Sequence, residues 1–218
     1  MTEQSSRYSL AQLRIHTDSI VMANREQNEA HYRAFDKAVQ AFDRRLSELE
    51  RESVSAQRNV LMLLATRLFN HMYSTLLLSE AGLIHDAVGC ERSLWETLAA
   101  YFLVSVDSSA ADDYLKNKFP RPKDVRARLQ QLGYPELAKD IRNMFSPTSN
   151  ILHISRRAER WHLSWSDQSS AKLIVGGSHA VQDHQHILGV FLAPFIEWFA
   201  TFHRETEEGA KGKEESSS

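Results

Sequence analysis

Two consecutive stretches, residues 55–80 and 83–106, are apolar on nearly every side at helical spacing, and Gly82 stands between them. In the first, Val60, Leu61, Leu64, Leu68, Met72, Leu76 and Leu77 recur on the side to be buried; in the second, Leu94, Trp95, Leu98, Tyr101 and Phe102 do. A helix that is hydrophobic all round belongs inside a helical assembly. A glycine stop followed by a short connection folds the second helix back antiparallel to the first. The pair therefore predicts a mainly all-α chain, an antiparallel helical bundle with these helices at its centre.

The same stretch carries Arg67, His71, Glu80, His85, Asp86, Glu91, Arg92 and Glu96. A buried charge is costly unless paired. Glu80 lies near a helix end, and His85 and Asp86 follow the glycine turn, so water is within reach of all three. What remains is Arg92 with Glu96, one helical turn apart and flanked by Leu94, Trp95 and Leu98.

The first fifty residues read as one long helix. Phe35, Val39, Phe42, Leu46 and Leu49 form a heptad seam, and Leu10, Leu13 and Ile20 continue it more weakly past Asn24, Gln27 and Asn28. The seam is short for a free coiled coil, so it is expected to pack on the protein's own core or on a second subunit. Downstream, Asp107 caps a short helix to Lys118, and further helices are expected over 122–132 and 135–145, the last ending before Pro147. Between 161 and 177 the period changes to alternation, which predicts a small β-hairpin. A final helix is expected from about Ala180 to Glu205, kinked at Pro194. The resulting organisation is an N-terminal helix over 1–54 as a possible association element, a bundle over 55–206 and a charged, disordered tail over 207–218.

Charge excludes one class of partner. With 26 basic and 28 acidic residues, the chain lacks the basic excess of a dedicated duplex-binding protein, which leaves room only for a local basic patch. The single cysteine, Cys90, rules out an intrachain disulfide and a cysteine zinc cluster, and reads as a small core residue. No apolar run approaches a membrane span, and the N-terminus lacks a secretory pattern, so a soluble cytoplasmic protein is expected.

Three constellations carry candidate chemistry. Arg92 and Glu96 either neutralise each other along one helix face or present Arg92 to an anion, with Glu96 orienting it. Asn150 and His153, followed by Arg156 and Arg157, place a group that titrates near neutrality beside cations able to stabilise a phosphate. Arg157, Arg160 and Trp161 belong to the basic and aromatic cluster that suits single-stranded nucleic acid. The histidines His162, His179, His184 and His186 lack the i, i+4 spacing of a helical metal site and read as solvated. No metal or other cofactor is expected.

The run from Leu76 to Val104 resembles the helix–turn–helix core of an uncharacterised bacterial family related to HEPN domains, through Gly82, Ala87, Arg92, Glu96 and Tyr101. The segment Ser149 to His153 resembles that family's later polar helix and histidine, so the likeness spans about residues 60–160. It implies a small helical bundle, often dimeric, of the kind found in prokaryotic defence and toxin–antitoxin systems. It also implies possible metal-independent ribonuclease activity, although the usual Arg-to-His spacing is absent: Arg142 and His153 stand too far apart, with Pro147 between them.

Three functional expectations follow. The first is association, as a homodimer or with a protein partner, through the N-terminal helix. The second is an endoribonuclease using His153 with Arg92 or Arg156, RNA being the possible nucleic-acid partner and duplex DNA not expected. The third is a nucleotide or small-ligand sensor lined by Arg92, His153 and Trp161. No membrane partner is expected.

Overall fold

The computed structural model describes residues 10–152, 163–165, 171–173 and 181–192. The fold is mostly helical. In chain order the elements are α1 (Leu10–Gln27), α2 (Glu29–Arg51), α3 (Ala56–Glu80), α4 (Ile84–Val106), α5 (Ser108–Leu115), α6 (Pro122–Gln131) and α7 (Pro135–Leu152). After them come strands β1 (Leu163–Trp165) and β2 (Ala171–Leu173), then α8 (Val181–His186), which runs directly into a π-helical segment, Ile187–Leu192. The strands pair antiparallel, with Leu163 opposite Leu173.

Helices α3 and α4 form the centre. Ser55 caps α3 by accepting a hydrogen bond from the Arg58 amide, 3.1 Å. The helix ends at Gly82, whose φ of +74° is the left-handed conformation glycine adopts without penalty, and the Leu83 amide closes the turn on Leu78 O at 2.8 Å. The antiparallel return is fixed at the other end, where the Gln57 side chain donates to Val104 O (2.8 Å) and Ser105 O (3.3 Å). Leu64, Leu68 and Met72 of α3 and Leu94, Leu98, Tyr101 and Phe102 of α4 are completely buried. Leu77, expected on the buried side, is instead exposed, because the outer face of α3 also carries Leu63, Arg67, Asn70 and Tyr73.

The seam of α2 is spent on this core. Phe35, Phe42 and Leu49 are buried, Phe42 meets Phe69 edge-on, and Arg58 caps the end of α2 by donating to Leu49 O (2.7 Å) and Glu50 O (3.0 Å). The N-terminal helix is not continuous: it breaks at Asn28, with φ −126° and ψ 23°. There the Asn28 side chain donates to Asn24 O at 2.8 Å, a local bond that competes with the helical ladder.

Helix α5 is capped by Asp107, whose carboxylate accepts from the Ser109 amide. Arg128 of α6 then ties three groups together, donating to Asp107 (2.8 Å), Asp113 (3.1 Å) and Ser109 Oγ (2.6 Å). The expected end of α7 before Pro147 is corrected: the helix continues to Leu152. A proline removes one donor and strains the preceding turn, but the bonds on either side can carry the helix through. The kink at Pro194 and the tail from 207 lie outside the described residues. Among the described residues no helix is long and apolar enough to cross a membrane.

Candidate functional site

The Arg92 to Glu96 pair lies on α4 where that helix borders the outer face of α3. Arg92 Nε donates to Glu96 Oε1 at 3.4 Å, and the two side chains keep 36% and 39% of their surface exposed. The pair is therefore closed, yet water reaches both partners. An ion pair this exposed contributes at most about 1 kcal/mol to stability.

Folding α4 back on α3 brings a histidine to the pair. His71 is half-buried and lies within the electrostatic reach of both Arg67 and Glu96. Burial lowers its pKa from the ordinary value and Arg67 lowers it further, against the opposing pull of Glu96. Arg67 donates to the Tyr114 hydroxyl at 3.1 Å, which ties this strip to α5. Two guanidinium groups, a carboxylate and a largely neutral imidazole thus share one solvent-accessible strip across α3 and α4. Such a strip can hold an anion, and a neutral imidazole beside it can accept a proton. By sequence spacing, Arg67 and His71 are only charges in an apolar run; the antiparallel return brings His71 within electrostatic reach of Glu96, the partner of Arg92.

A second polar cluster lies at the far end of α3 and is enclosed except at Arg25, whose side chain is 60% exposed. The bidentate bond from Arg25 to Glu80 (3.2 and 3.1 Å) joins α1 to α3, and Asn24 donates to Glu80 O at 2.8 Å. The hydrogen bond and charge of Glu80 together raise the Arg25 pKa. His184 of α8 is only 1% exposed, which corrects the expectation of a solvated histidine. Its Nδ1 lies 2.9 Å from Ser79 Oγ and its Nε2 lies 3.3 Å from the Tyr32 hydroxyl. Ser79 gives its own proton to Leu76 O (3.1 Å), so Nδ1 is the donor to Ser79, while Nε2 and the Glu80 carboxylate compete for the single Tyr32 hydroxyl proton. Both ring nitrogens thus face a hydroxyl oxygen within hydrogen-bond distance. Burial pushes the His184 pKa down to about 4, with His31 acting in the same direction and Glu80 and the Ser79 backbone against it. Burial also raises the Tyr32 pKa, and its hydrogen bond to Glu80 adds to that. This cluster fastens α1, α2 and α8 to the end of α3.

Glu91 is a third departure from expectation. It is completely buried on α4; Trp95 Nε1 donates to its Oε1 at 3.2 Å, while its Oε2 has no partner among the described residues. Burial pushes its pKa up to about 8, only partly opposed by the Trp95 bond. At neutral pH it holds a proton. Cys90, next to it, is half-buried rather than a core residue, and burial together with Asp86 raises its pKa.

Asn150 lies in the last turn of α7. His153, Arg156, Arg157, Arg160, Trp161, His162 and His179 lie outside the described residues. Among the described residues no three histidine, cysteine or carboxylate side chains are grouped to hold a metal ion. A scan against protein-family models finds no match, and neither curated proteins nor solved structures yield one.

Proposed function

We propose that this chain is a HEPN-like antiparallel helical bundle, with a small hairpin over 161–177, that works by self-association through α1 in a bacterial defence or toxin–antitoxin setting. The reading is supported by the outer stripe of α1, where Ile15 and Met22 are 70% and 68% exposed, one heptad apart. The opposite stripe of the same helix, Ile20 and Asn24, is buried, as is Asn28 at the break that follows it. The occupant proposed for the exposed stripe is a second copy of α1. Arg14 and Asp18 flank it one turn apart, neither closes an ion pair among the described residues, and an antiparallel copy brings the two signs together across the contact. Light scattering over a concentration series tests this. The full chain should show the mass of a dimer that the Ile15→Asp, Met22→Asp double variant loses while its circular dichroism is unchanged. A monomer at every concentration counts against it.

One observation favours a second reading, the metal-independent endoribonuclease. His71 lies within electrostatic reach of Arg67 and of Glu96, the partner of Arg92, on a water-accessible strip, so a proton acceptor and guanidinium groups border one another. In that reading His71, or His153 as the sequence suggested, takes the ribose 2′-hydroxyl proton, and Arg67 or Arg92 holds the phosphate. RNA cleavage in EDTA should fall by about 10²–10⁴ in whichever histidine variant removes the base, with the fold retained. Cleavage that survives in both His71→Ala and His153→Ala would sink it.

A further inference from the structure

The chain carries a net charge of −2, yet residues 116–126 hold five basic residues, Lys116, Lys118, Arg121, Lys123 and Arg126, against one acidic residue, Asp124. That is a local charge of 5 − 1 = +4. The structure gathers these residues on one elbow. Helix α5 ends with Lys116 as its C-cap, Asn117 turns the chain with a φ of +54°, and Pro120 and Pro122 lead into the first turn of α6. Lys116, Lys118, Arg121 and Lys123 are all exposed, and none of the four closes an ion pair among the described residues. Of the nearby acids, Asp113 and Asp107 both accept from Arg128, and the exposed Asp112 and Asp124 close no ion pair with these cations among the described residues.

The elbow is held rigidly from beneath. Phe119 packs edge-on against Tyr114, with ring centroids 5.4 Å apart. The backbone before it is pinned by the Lys118 amide on Asp113 O (2.8 Å) and the Asn117 amide on Tyr114 O (3.1 Å). The positive end of the α6 dipole opens onto the same surface beside Arg121 and Lys123.

We infer that this elbow is a binding surface for the phosphate backbone of a single-stranded nucleic acid. The inference rests on neither the dimer nor the ribonuclease reading. Four exposed cations within eight residues, none closing an ion pair among the described residues, suit a chain of closely spaced single negative charges, and a single strand can follow the bend of the elbow where a stiff duplex cannot. An anionic membrane is the poorer fit. Surfaces that bind membranes join their cations to an apolar face. Phe119 is turned inward here, leaving Leu115 as the one large apolar side chain exposed at the elbow among the described residues.

The test is fluorescence anisotropy of a labelled oligouridylate titrated with the full chain in EDTA, over a series of salt concentrations. The quadruple variant Lys116→Gln, Lys118→Gln, Arg121→Gln, Lys123→Gln is compared with the parent. Each cation removed from the phosphate backbone should lower the slope of log K against log salt by about 0.7, so the quadruple variant should lose up to about 3 from the slope and bind on the order of tenfold more weakly. The two double variants, 116 with 118 and 121 with 123, should each lose about half, which keeps the test valid if the quadruple variant folds poorly. Ile15→Asp, Met22→Asp should bind like the parent. Unchanged binding in the glutamine variants overturns the proposal. So does binding of anionic phosphatidylserine vesicles in preference to RNA, or displacement of the RNA by polyglutamate as effectively as by unlabelled oligouridylate.

Discussion

Ser79 Oγ and His184 Nδ1 lie 2.9 Å apart although 105 residues separate them in the chain. With Tyr32 on the other ring nitrogen, one buried imidazole joins α2, α3 and α8. This is how the two ends of the described chain are fastened to the same point of the central helix pair.

Ser79→Ala removes the hydroxyl facing Nδ1 and leaves the ring only the Ser79 backbone on that side, which should destabilise the protein by about 0.5–1.5 kcal/mol. Tyr32→Phe removes the hydroxyl that His184 Nε2 and Glu80 share and should cost about 0.5–1.5 kcal/mol. Urea unfolding at neutral pH measures both. Because the two hydroxyls share one ring, the double variant should deviate from additivity.

Stability should depend on pH through two buried groups of opposite sign. Glu91 holds its proton more tightly folded than unfolded, so its contribution is complete below its ordinary value of 4.5 and is lost as pH rises to about 8. His184 binds its proton more weakly when folded. Its contribution is complete above 6.5 and is lost as pH falls to about 4. Between about 4.5 and 6.5 the two slopes oppose each other, and above 6.5 Glu91 acts alone, at most about 1.4 kcal/mol per pH unit. Glu91→Gln keeps the acceptor for Trp95, so it should flatten the decline between pH 6.5 and 8 in thermal unfolding. An unchanged decline would place its cause elsewhere.

Asp107→Ala removes both the cap of α5 and a partner of Arg128, and should cost about 2 kcal/mol. The loss should be measurable as a lower urea midpoint with the slope unchanged. Asp107→Asn, which keeps a capping oxygen, should recover about half of it.

The parts of the fold legible in sequence were those set by local periodicity. Val60, Leu64, Leu68 and Met72, and Leu94, Leu98 and Phe102, repeat at helical spacing, and Gly82 marks the turn without reference to the rest of the chain. What was not legible depends on contacts between distant segments. Nothing near Glu80 in sequence announces Arg25, and nothing near His184 announces Ser79, so both looked like solvated groups at helix ends. The break at Asn28 was hidden because apolar spacing continues on either side of it, while the competing bond to Asn24 O is a side-chain property. Of the candidate strip, Arg92 and Glu96 were visible as a helical pair; His71 joined them only through the register of α3 against α4.

Self-association through α1 is tested most directly by placing a chemical handle on the proposed contact. Ser19 lies on the exposed stripe between Ile15 and Met22. In a Cys90→Ser background, Ser19→Cys treated with a short bismaleimide should give a covalent dimer. Leu132→Cys, exposed at the α6 to α7 turn, should remain monomeric under the same treatment. A monomer at position 19, or equal cross-linking at both positions, would contradict the account.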